Sequence, residues 1–484
     1  MNAFKKFCYL GPWQTARKYL LKVECAANAG QRPPVLPAQD PSLDLKLKLL
    51  GHEFDLSAPH RWHGSWPLIY GPALALDRED VKPLWELNRH QFLPSLDKEL
   101  ARRIVRDWIA QNPYPFGINW NSPLEAALRM IAWIETFGRE EFAEALAQHA
   151  QFIRHHLSSD WVPRNNHLIG EAAALSLYEG RPHRWLRQAA REQFFASGVH
   201  REQSVAYHRF VTHLFSVAGL SQPKSLAYLG AICQPDGTLP DIGDNDDAFA
   251  STRSLELPAA STGSVAFPDA GHYVIRHGGD YCFVRCGGFG LPPTYSHGHA
   301  DLMSPVLWLQ GQPVFVDAGT FTYNGDAGLR RIFRSAFAHN VVMVDDVDFG
   351  EQAGTFVWHN PLRGICEAWS EREFVGSVGT WRRRIACDNG RFLISDSIAG
   401  SGRHQVRWRF HLHPQLKVSR CNDGVIEFGD RFALRVKSEG ANVRIGRGWY
   451  SATYGARVPV EVCEILFDGA LPAAAEFVVE VVRG

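Results

Sequence analysis

The sequence has no excess of charge: 51 Lys and Arg stand against 51 Asp and Glu, a formal net charge of zero. No global field draws such a chain to nucleic acid or a membrane surface, and a polyanionic ligand would need a local basic patch. Cysteine pairing is missing too. The nine cysteines are odd in number and scattered without a CxxC, and Cys282 and Cys286 are the closest couple. They read as free, mostly core thiols, which excludes a disulfide framework and a thiolate metal site. No run is long and apolar enough to span a bilayer. The opening segment, MNAFKKFCYLGPWQTARKYLLKVE, lacks the apolar stretch of a signal peptide and reads as an amphipathic helix, so a cytoplasmic location is the expectation.

What is present falls into two halves, in a chain long enough for two or three domains. The first half reads as helix. ARRIVRDWIAQN carries Ile104, Val105, Trp108 and Ile109 at helical spacing, and PLEAALRMIAWIETFG is opened by a capping Ser122 and a first-turn Pro123. EEFAEALAQHAQFIRHHL, GEAAALSLYEG, HRWLRQAAREQFFASG and RFVTHLFSVAGL continue the series with short connections. Such hairpins stack into a superhelix or close into a toroid, and without a fixed repeat the periodicity does not choose.

The second half reads as strand. GHYVIRHG, DYCFVRCGG, SPVLWLQG, HNVVMVDD, RFLISDSI, HQVRWRFHLHP and EFVVEVV are short, β-branched or aromatic, and broken by Gly, Asp or Asn. They predict antiparallel sheets packed as a sandwich. The expected division is a helical domain over 1–250, a linker over 251–263 and a sheet domain over 264–484.

A histidine and aspartate cluster lies in the strand half: Ser296-His297-Gly298-His299-Ala300-Asp301, then Val316-Asp317-Ala318-Gly319-Thr320, then Ala338-His339-Asn340. Imidazole nitrogen and carboxylate oxygen suit a zinc-type ion. They equally suit ordinary hydrogen-bonding loops.

Other motifs occur in a definite order. They are Leu84-Trp85-Glu86-Leu87-Asn88-Arg89, then Asn119-Trp120 ahead of the Arg129 helix, then Asn165-Asn166-His167-Leu168, then Ser204-Val205-Ala206-Tyr207-His208. Next come Leu239 to Asp246 as an acidic turn, SHGHAD, FVDAGT, AHNVV, and Phe410-His411-Leu412-His413-Pro414. This order resembles the heparinase II/III-like polysaccharide lyases over nearly the whole chain. The resemblance implies an α+β multidomain fold, with an N-terminal (α/α) toroid of helical hairpins followed by a C-terminal antiparallel β-sandwich. It also implies β-elimination on a uronic-acid-containing polysaccharide or oligosaccharide, with no nucleic acid and no membrane insertion. Lyases of this kind are often periplasmic, in tension with the missing signal peptide.

Four catalytic residues are implied. Asn166 and His297 would neutralise the substrate carboxylate, Tyr207 would act as acid and possibly base, and His167 as the alternative base. Tyr207 would need its pKa lowered by cations such as Arg209, Arg164 or a protonated histidine. His299, Asp317 and His339 are implied as ligands of a structural zinc. Trp120, in a polar loop, is the best sugar-stacking candidate, and Arg129, Glu171 and Arg334 are further substrate contacts. Glu171 lies one turn beyond His167 and would orient it or face solvent. Arg330, Arg331 and Arg334 form a basic run that would steer an anionic chain or line a solvated strand face.

Each residue has a duller reading: Asn166 as a helix cap, His167 and His208 as satisfied histidines on helix faces, Tyr207 and the tryptophans as core. His208 is read as structural. Asp241, Asp244, Asp246 and Asp247 lack the calcium-loop pattern. The sequence departs from the family pattern in a short stretch between Asn166 and Tyr207, in the position of Glu171, and in Val199-His200-Arg201 where Asp-Gly is usual. A non-catalytic carbohydrate-binding protein of a polysaccharide assembly pathway is therefore the competing reading. A glycoside hydrolase would need two opposed carboxylates, and no motif links Asp241 to Glu171 in that way.

Overall fold

Helices fill the first half because apolar residues there recur at helical spacing and polar side chains close several N-termini. In the computed structural model, residues 43–482 are described, apart from 44, 57–59, 77–78 and 389. The helix expected over the opening segment lies outside them. A hairpin of β1 (Lys46–Leu49) and β2 (His52–Asp55) comes first. Then follow α1 (Lys82–Asn88), α2 (Lys98–Gln111), α3 (Pro123–Phe137), α4 (Ala143–His156), α5 (Asn166–Glu179), α6 (Arg184–Glu192), α7 (Val205–Val217) and α8 (Pro223–Ile232).

Asp97 caps α2 by accepting from the Glu99 and Leu100 amides, and Ser204 caps α7 through the Tyr207 amide. Ser122 occupies the cap position of α3 without making a capping bond, so Pro123 alone opens that helix. The α5 helix packs against α3, α4, α6 and α7 and is buried continuously from Leu168 to Ser176. Its first turn therefore sits at a fixed place in the molecule.

Residues 233–264 contain no helix or strand. The expected linker lies within this stretch, and its start is anchored: Ser251 Oγ donates to Glu135 at 2.7 Å.

The strand half builds three sheets. The first is five-stranded, β3 (Val265–Phe267), β4 (His272–His277), β5 (Asp280–Arg285), β6 (Pro305–Leu309) and β7 (Gln312–Phe315), in sequence order. Helix α9 (Ala327–Arg334), β8 (Val342–Val344) and the small pair β9 (Glu351–Gln352) and β10 (Trp358–His359) come next. They are followed by β11 (Gly364–Ser370), β12 (Glu373–Val378), β13 (Trp381–Asp388), β14 (Arg391–Ile398) and β15 (Arg403–His411). The last strands are β16 (Val418–Asn422), β17 (Val425–Phe428), β18 (Phe432–Lys437), β19 (Asn442–Thr453), β20 (Ala456–Ala470) and β21 (Ala473–Val481).

An eight-stranded sheet, in the order β11-β12-β13-β14-β21-β18-β17-β16, faces a four-stranded sheet, β19-β20-β15-β8. The four- and five-stranded sheets are joined where Phe315 bridges Leu412. One hydrophobic core joins the layers, drawing Ile275 and Leu307 from one side, Trp408 and Ile465 from another, and Ile385, Ile394 and Val479 from the third. Antiparallel sheets packed in two layers are thus the observed architecture. Seven cysteines fall among the described residues, and all are free thiols, five of them buried.

The basic run expected on a strand face is helix α9, with Arg330 and Arg334 buried and Arg331 exposed. The two halves meet along loops. The Asp244 amide donates to the His297 carbonyl at 3.0 Å, and the Thr322 hydroxyl donates to Asp80 at 2.8 Å.

Candidate active site

The first turn of α5 brings Asn166 and His167 to the junction. Asn165, not Asn166, is the cap: its side chain accepts from the His167 amide at 3.1 Å. Asn166 is left with its side chain free for other work. Its Nδ2 lies 3.1 Å from both carboxylate oxygens of Glu202, and its Oδ1 is buried without a partner. Burial raises the Glu202 pKa, opposed by His297 and by the Asn166 hydrogen bonds. Glu202 is not legible in the sequence, because it lies in the loop ahead of the Ser204 cap, where nothing in the spacing ties it to Asn166.

Helix α7 supplies Tyr207. Its ring stacks on His297 with centroids 3.8 Å apart, and its hydroxyl lies 3.1 Å from Tyr323 Oη and 3.4 Å from Asp246 Oδ2. Burial, then the carboxylates of Asp246 and Asp244, push the Tyr207 pKa well above its usual value. The expected lowering by cations does not occur. Arg209 is exposed, and Arg164 pairs with Glu192 at 3.1 Å. His167 behaves oppositely. Burial pulls its pKa down to about 4, with Glu125 opposing, so it is neutral at pH 7. One group is a held acid and its neighbour a free base, the separation that acid and base assignments need.

Asp244 organises the other side. Its carboxylate receives both terminal nitrogens of Arg330, His297 Nδ1 at 3.0 Å and His299 Nε2 at 2.9 Å. Burial opposes its ionisation, but Arg330 and these hydrogen bonds hold its pKa well below the usual carboxylate range. An ionised carboxylate only accepts, so both imidazoles must donate to it. His297 then carries its proton on Nδ1, and His299 on Nε2. The same logic applies to His339, whose Nδ1 lies 2.8 Å from Asp317 Oδ2. The remaining nitrogens, His299 Nδ1 and His339 Nε2, are buried without partners. Donor atoms of His299, Asp317 and His339 lie within 4.8 Å of one another. Two buried, unpartnered imidazole nitrogens beside a carboxylate fit a metal ion, which would displace the proton that Asp317 favours on His339.

Close backbone contact fixes the spacing. Gly243, at φ +68°, leaves no room for a side chain: a Cβ there would lie 2.8 Å from the carbonyl oxygens of Gln203 and His297. Gly243→Ala should therefore displace Asp244 from His297, costing about 1–3 kcal/mol in urea denaturation and a large share of any activity.

A sequence profile of the heparinase II/III-like C-terminal family matches residues 259–476. The sheet half is thus similar to the heparinase II/III-like C-terminal domain. Beyond it, a heparin-sulfate lyase from Pedobacter heparinus is 24% identical over 434 residues, covering 69% of this chain and 64% of that protein. A second, from Bacteroides stercoris, is 23% identical over 208 residues, 40% of this chain and 30% of that one. The chain thus spans less than two thirds of the length of these curated relatives. Among solved structures, a heparinase III superposes with TM-score 0.58 at 18% identity, over 84% of this chain and 80% of that one. A mutant heparan sulfate lyase from Pedobacter heparinus gives 0.57 at 16%, over 98% and 90%. The heparinase II/III-like resemblance in the sequence therefore extends to the fold.

Tyr207 stacks on His297, while His167 and Glu202, the hydrogen-bond partner of Asn166, both lie within electrostatic reach of His297, and the three metal-ligand candidates form the triad above. The four expected substrate contacts are all buried side chains. Trp120 is 1% exposed, packed on Tyr114 and Phe152, with its indole N–H on the Asn112 carbonyl. Arg129 is buried over the Trp108 ring at 4.2 Å and donates to the Asn88 and Asn119 carbonyls. Glu171 is buried and accepts from the Ser158 amide and hydroxyl, both at 2.6 Å, so it does not face solvent. Arg334 is buried against Trp358 and donates to the carbonyls of Gly354, Thr355 and Ser296. Its bond to Ser296 braces the His297 loop. His208 is structural as expected, with its ring nitrogens on the His200 amide and the Ser225 carbonyl.

Proposed function

We propose that this protein is a polysaccharide lyase that cleaves a uronic-acid-containing polysaccharide or oligosaccharide by β-elimination, on an (α/α) toroid joined to a β-sandwich. The observation that carries the reading is the pairing of a protonated Tyr207, stacked on His297, with a neutral His167. Heparin-sulfate lyases among its relatives support an anionic glycan as substrate.

Elimination removes the proton at C5, α to the carboxylate, and expels the sugar linked at O4. His167, with its pKa near 4, takes the C5 proton. The C–H electrons form the C4–C5 double bond, the C4–O4 bond breaks, and Tyr207 gives its proton to the departing oxygen. Charge building on the carboxylate is met by hydrogen bonds from His297 Nε2, when protonated, and from Asn166. For Asn166 to donate outward, its amide turns over so that its oxygen accepts from a protonated Glu202; burial of Glu202 favours that form. Lys82, between Asp246 and Glu86, balances the carboxylate beside Tyr207.

Zinc held by His299, Asp317 and His339 would fix the His297 loop and supply a local positive charge beside it. Chelation should then lower the thermal midpoint of the wild-type protein and leave a His339→Ala variant unmoved. Equal midpoints with and without chelator would count against the site.

Because the base is already neutral, kcat/KM should hold on acidification until about pH 4, the His167 value. An acid limb near 6.5, the ordinary histidine pKa, would remove His167 from that role. The activity itself is tested by incubating the protein with a panel of uronic-acid polymers and following ultraviolet absorbance of the unsaturated uronate. New reducing ends without absorbance would mean hydrolysis, and binding with neither would mean a non-catalytic protein.

A further inference from the structure

A cavity of about 100 Å³ lies on the sheet half, and none of the proposed catalytic residues lines it. Its walls include Ala318 and Ala338, the chain neighbours of Asp317 and His339, but not the metal triad itself. Ile332 and Phe337 are 41% and 40% exposed at this place, among the few large apolar side chains left in water. Trp449 lines the same cavity. Flat apolar rings at a pocket of this size suit the hydrophobic face of a single sugar ring.

The charge beside these rings is unbalanced. Arg409 lines the cavity and is fully buried, yet its Nε has no hydrogen-bond partner. Its guanidinium lies 3.5 Å from the centroid of the Phe337 ring. Glu464 is its carboxylate partner, but Glu464 is also held by Arg444 at 2.8 Å and lies 3.9 Å from Arg407. Arg447 lines the cavity at an exposed position, with no ion pair among the described residues. Arg457 sits over the Trp449 ring at 4.1 Å, and its Nη1 is buried without a partner. Guanidinium groups outnumber carboxylates here in a chain whose total charge is zero. Aromatic faces interleaved with under-partnered arginines match an acidic, ring-shaped ligand better than an aliphatic or neutral one.

We propose that this cavity is a second glycan-binding site, in which one acidic sugar ring lies against Phe337 and Trp449 with its acid group on Arg409 and Arg447. It rests on the reading that the substrate is an anionic glycan, and it extends that reading to a site that holds the polymer without cleaving it. A long chain would be retained between cuts, and a short one would not benefit.

The test is isothermal titration of the Tyr207→Phe protein, which should bind without turnover, using a glucuronate-containing octasaccharide of defined length. Two sites are expected. Adding Phe337→Ser and Arg447→Glu should remove one of them, and Arg447→Glu alone should weaken it about tenfold, which guards against a folding defect at Phe337. In the otherwise wild-type protein the same pair should leave tetrasaccharide cleavage unchanged and raise KM for the polymer about tenfold. A single site indifferent to both substitutions would overturn this inference and leave the proposed activity standing. A neutral octasaccharide that binds equally well would overturn it too. No binding anywhere would overturn both readings.

Discussion

Replacing Tyr207 by Phe should lower kcat by about a thousandfold with the fold intact. The ring that stacks on His297 at 3.8 Å is kept, and only the hydroxyl is lost. The proton on that hydroxyl is held by burial and by the carboxylates of Asp246 and Asp244, and in the proposed reaction it passes to the leaving oxygen. Its removal also deprives Tyr323 of a hydrogen-bond partner, a cost of about 1 kcal/mol, too small to unfold the chain. KM should change little, because the proton is delivered only as the C4–O4 bond breaks. Steady-state kinetics with a circular-dichroism control measures this. A variant with full activity would remove Tyr207 from the chemistry.

Asp244→Ala should be the most destabilising substitution near the site, by about 3–5 kcal/mol in urea denaturation. Arg330 is buried, and once its carboxylate is gone only the Thr355 carbonyl remains to it. His297 and His299 lose at the same time the acceptor that fixes their proton positions. Activity should disappear with stability, but the two effects separate. Asp244→Leu combined with Arg330→Met removes both buried charges and should regain much of the stability while remaining inactive. Recovery of activity in that double variant would mean that Asp244 only balances Arg330.

The fold was largely legible, for physical reasons that particular segments show. Helices with a continuous apolar face, such as α3, and fully buried strands with aromatic and β-branched residues, such as β5, are openly legible. Strand β13, Trp381–Asp388, does not. Its sequence WRRRIACD hides the alternation behind three arginines, of which Arg383 is buried on Asp396 and the others lie on the open face or half-open. The metal triad was legible only through the family resemblance, because histidine and aspartate in such loops equally suit ordinary hydrogen bonding. Asp244 was visible as part of an acidic turn, but its partners lie 53, 55 and 86 residues away in the chain, and spacing carries no information over such distances. Trp120 misled for a related reason. Polar neighbours normally signal a solvated loop, but Asn119 and Asn121 are occupied with backbone carbonyls of Trp62, Gly71 and Leu74, which lets the indole turn inward. Glu171 and Arg129 are likewise buried polar residues satisfied by distant partners, a class that sequence pattern reads as surface.

The most direct test of the central claim is the mass of the cleavage products formed in water enriched with oxygen-18. Elimination breaks the C4–O4 bond without adding water. The account therefore predicts products that carry no heavy oxygen from the cleavage step, one of them lighter by the mass of a water molecule than its hydrolytic counterpart. A product that gains one solvent oxygen at the broken linkage would show hydrolysis and contradict the account.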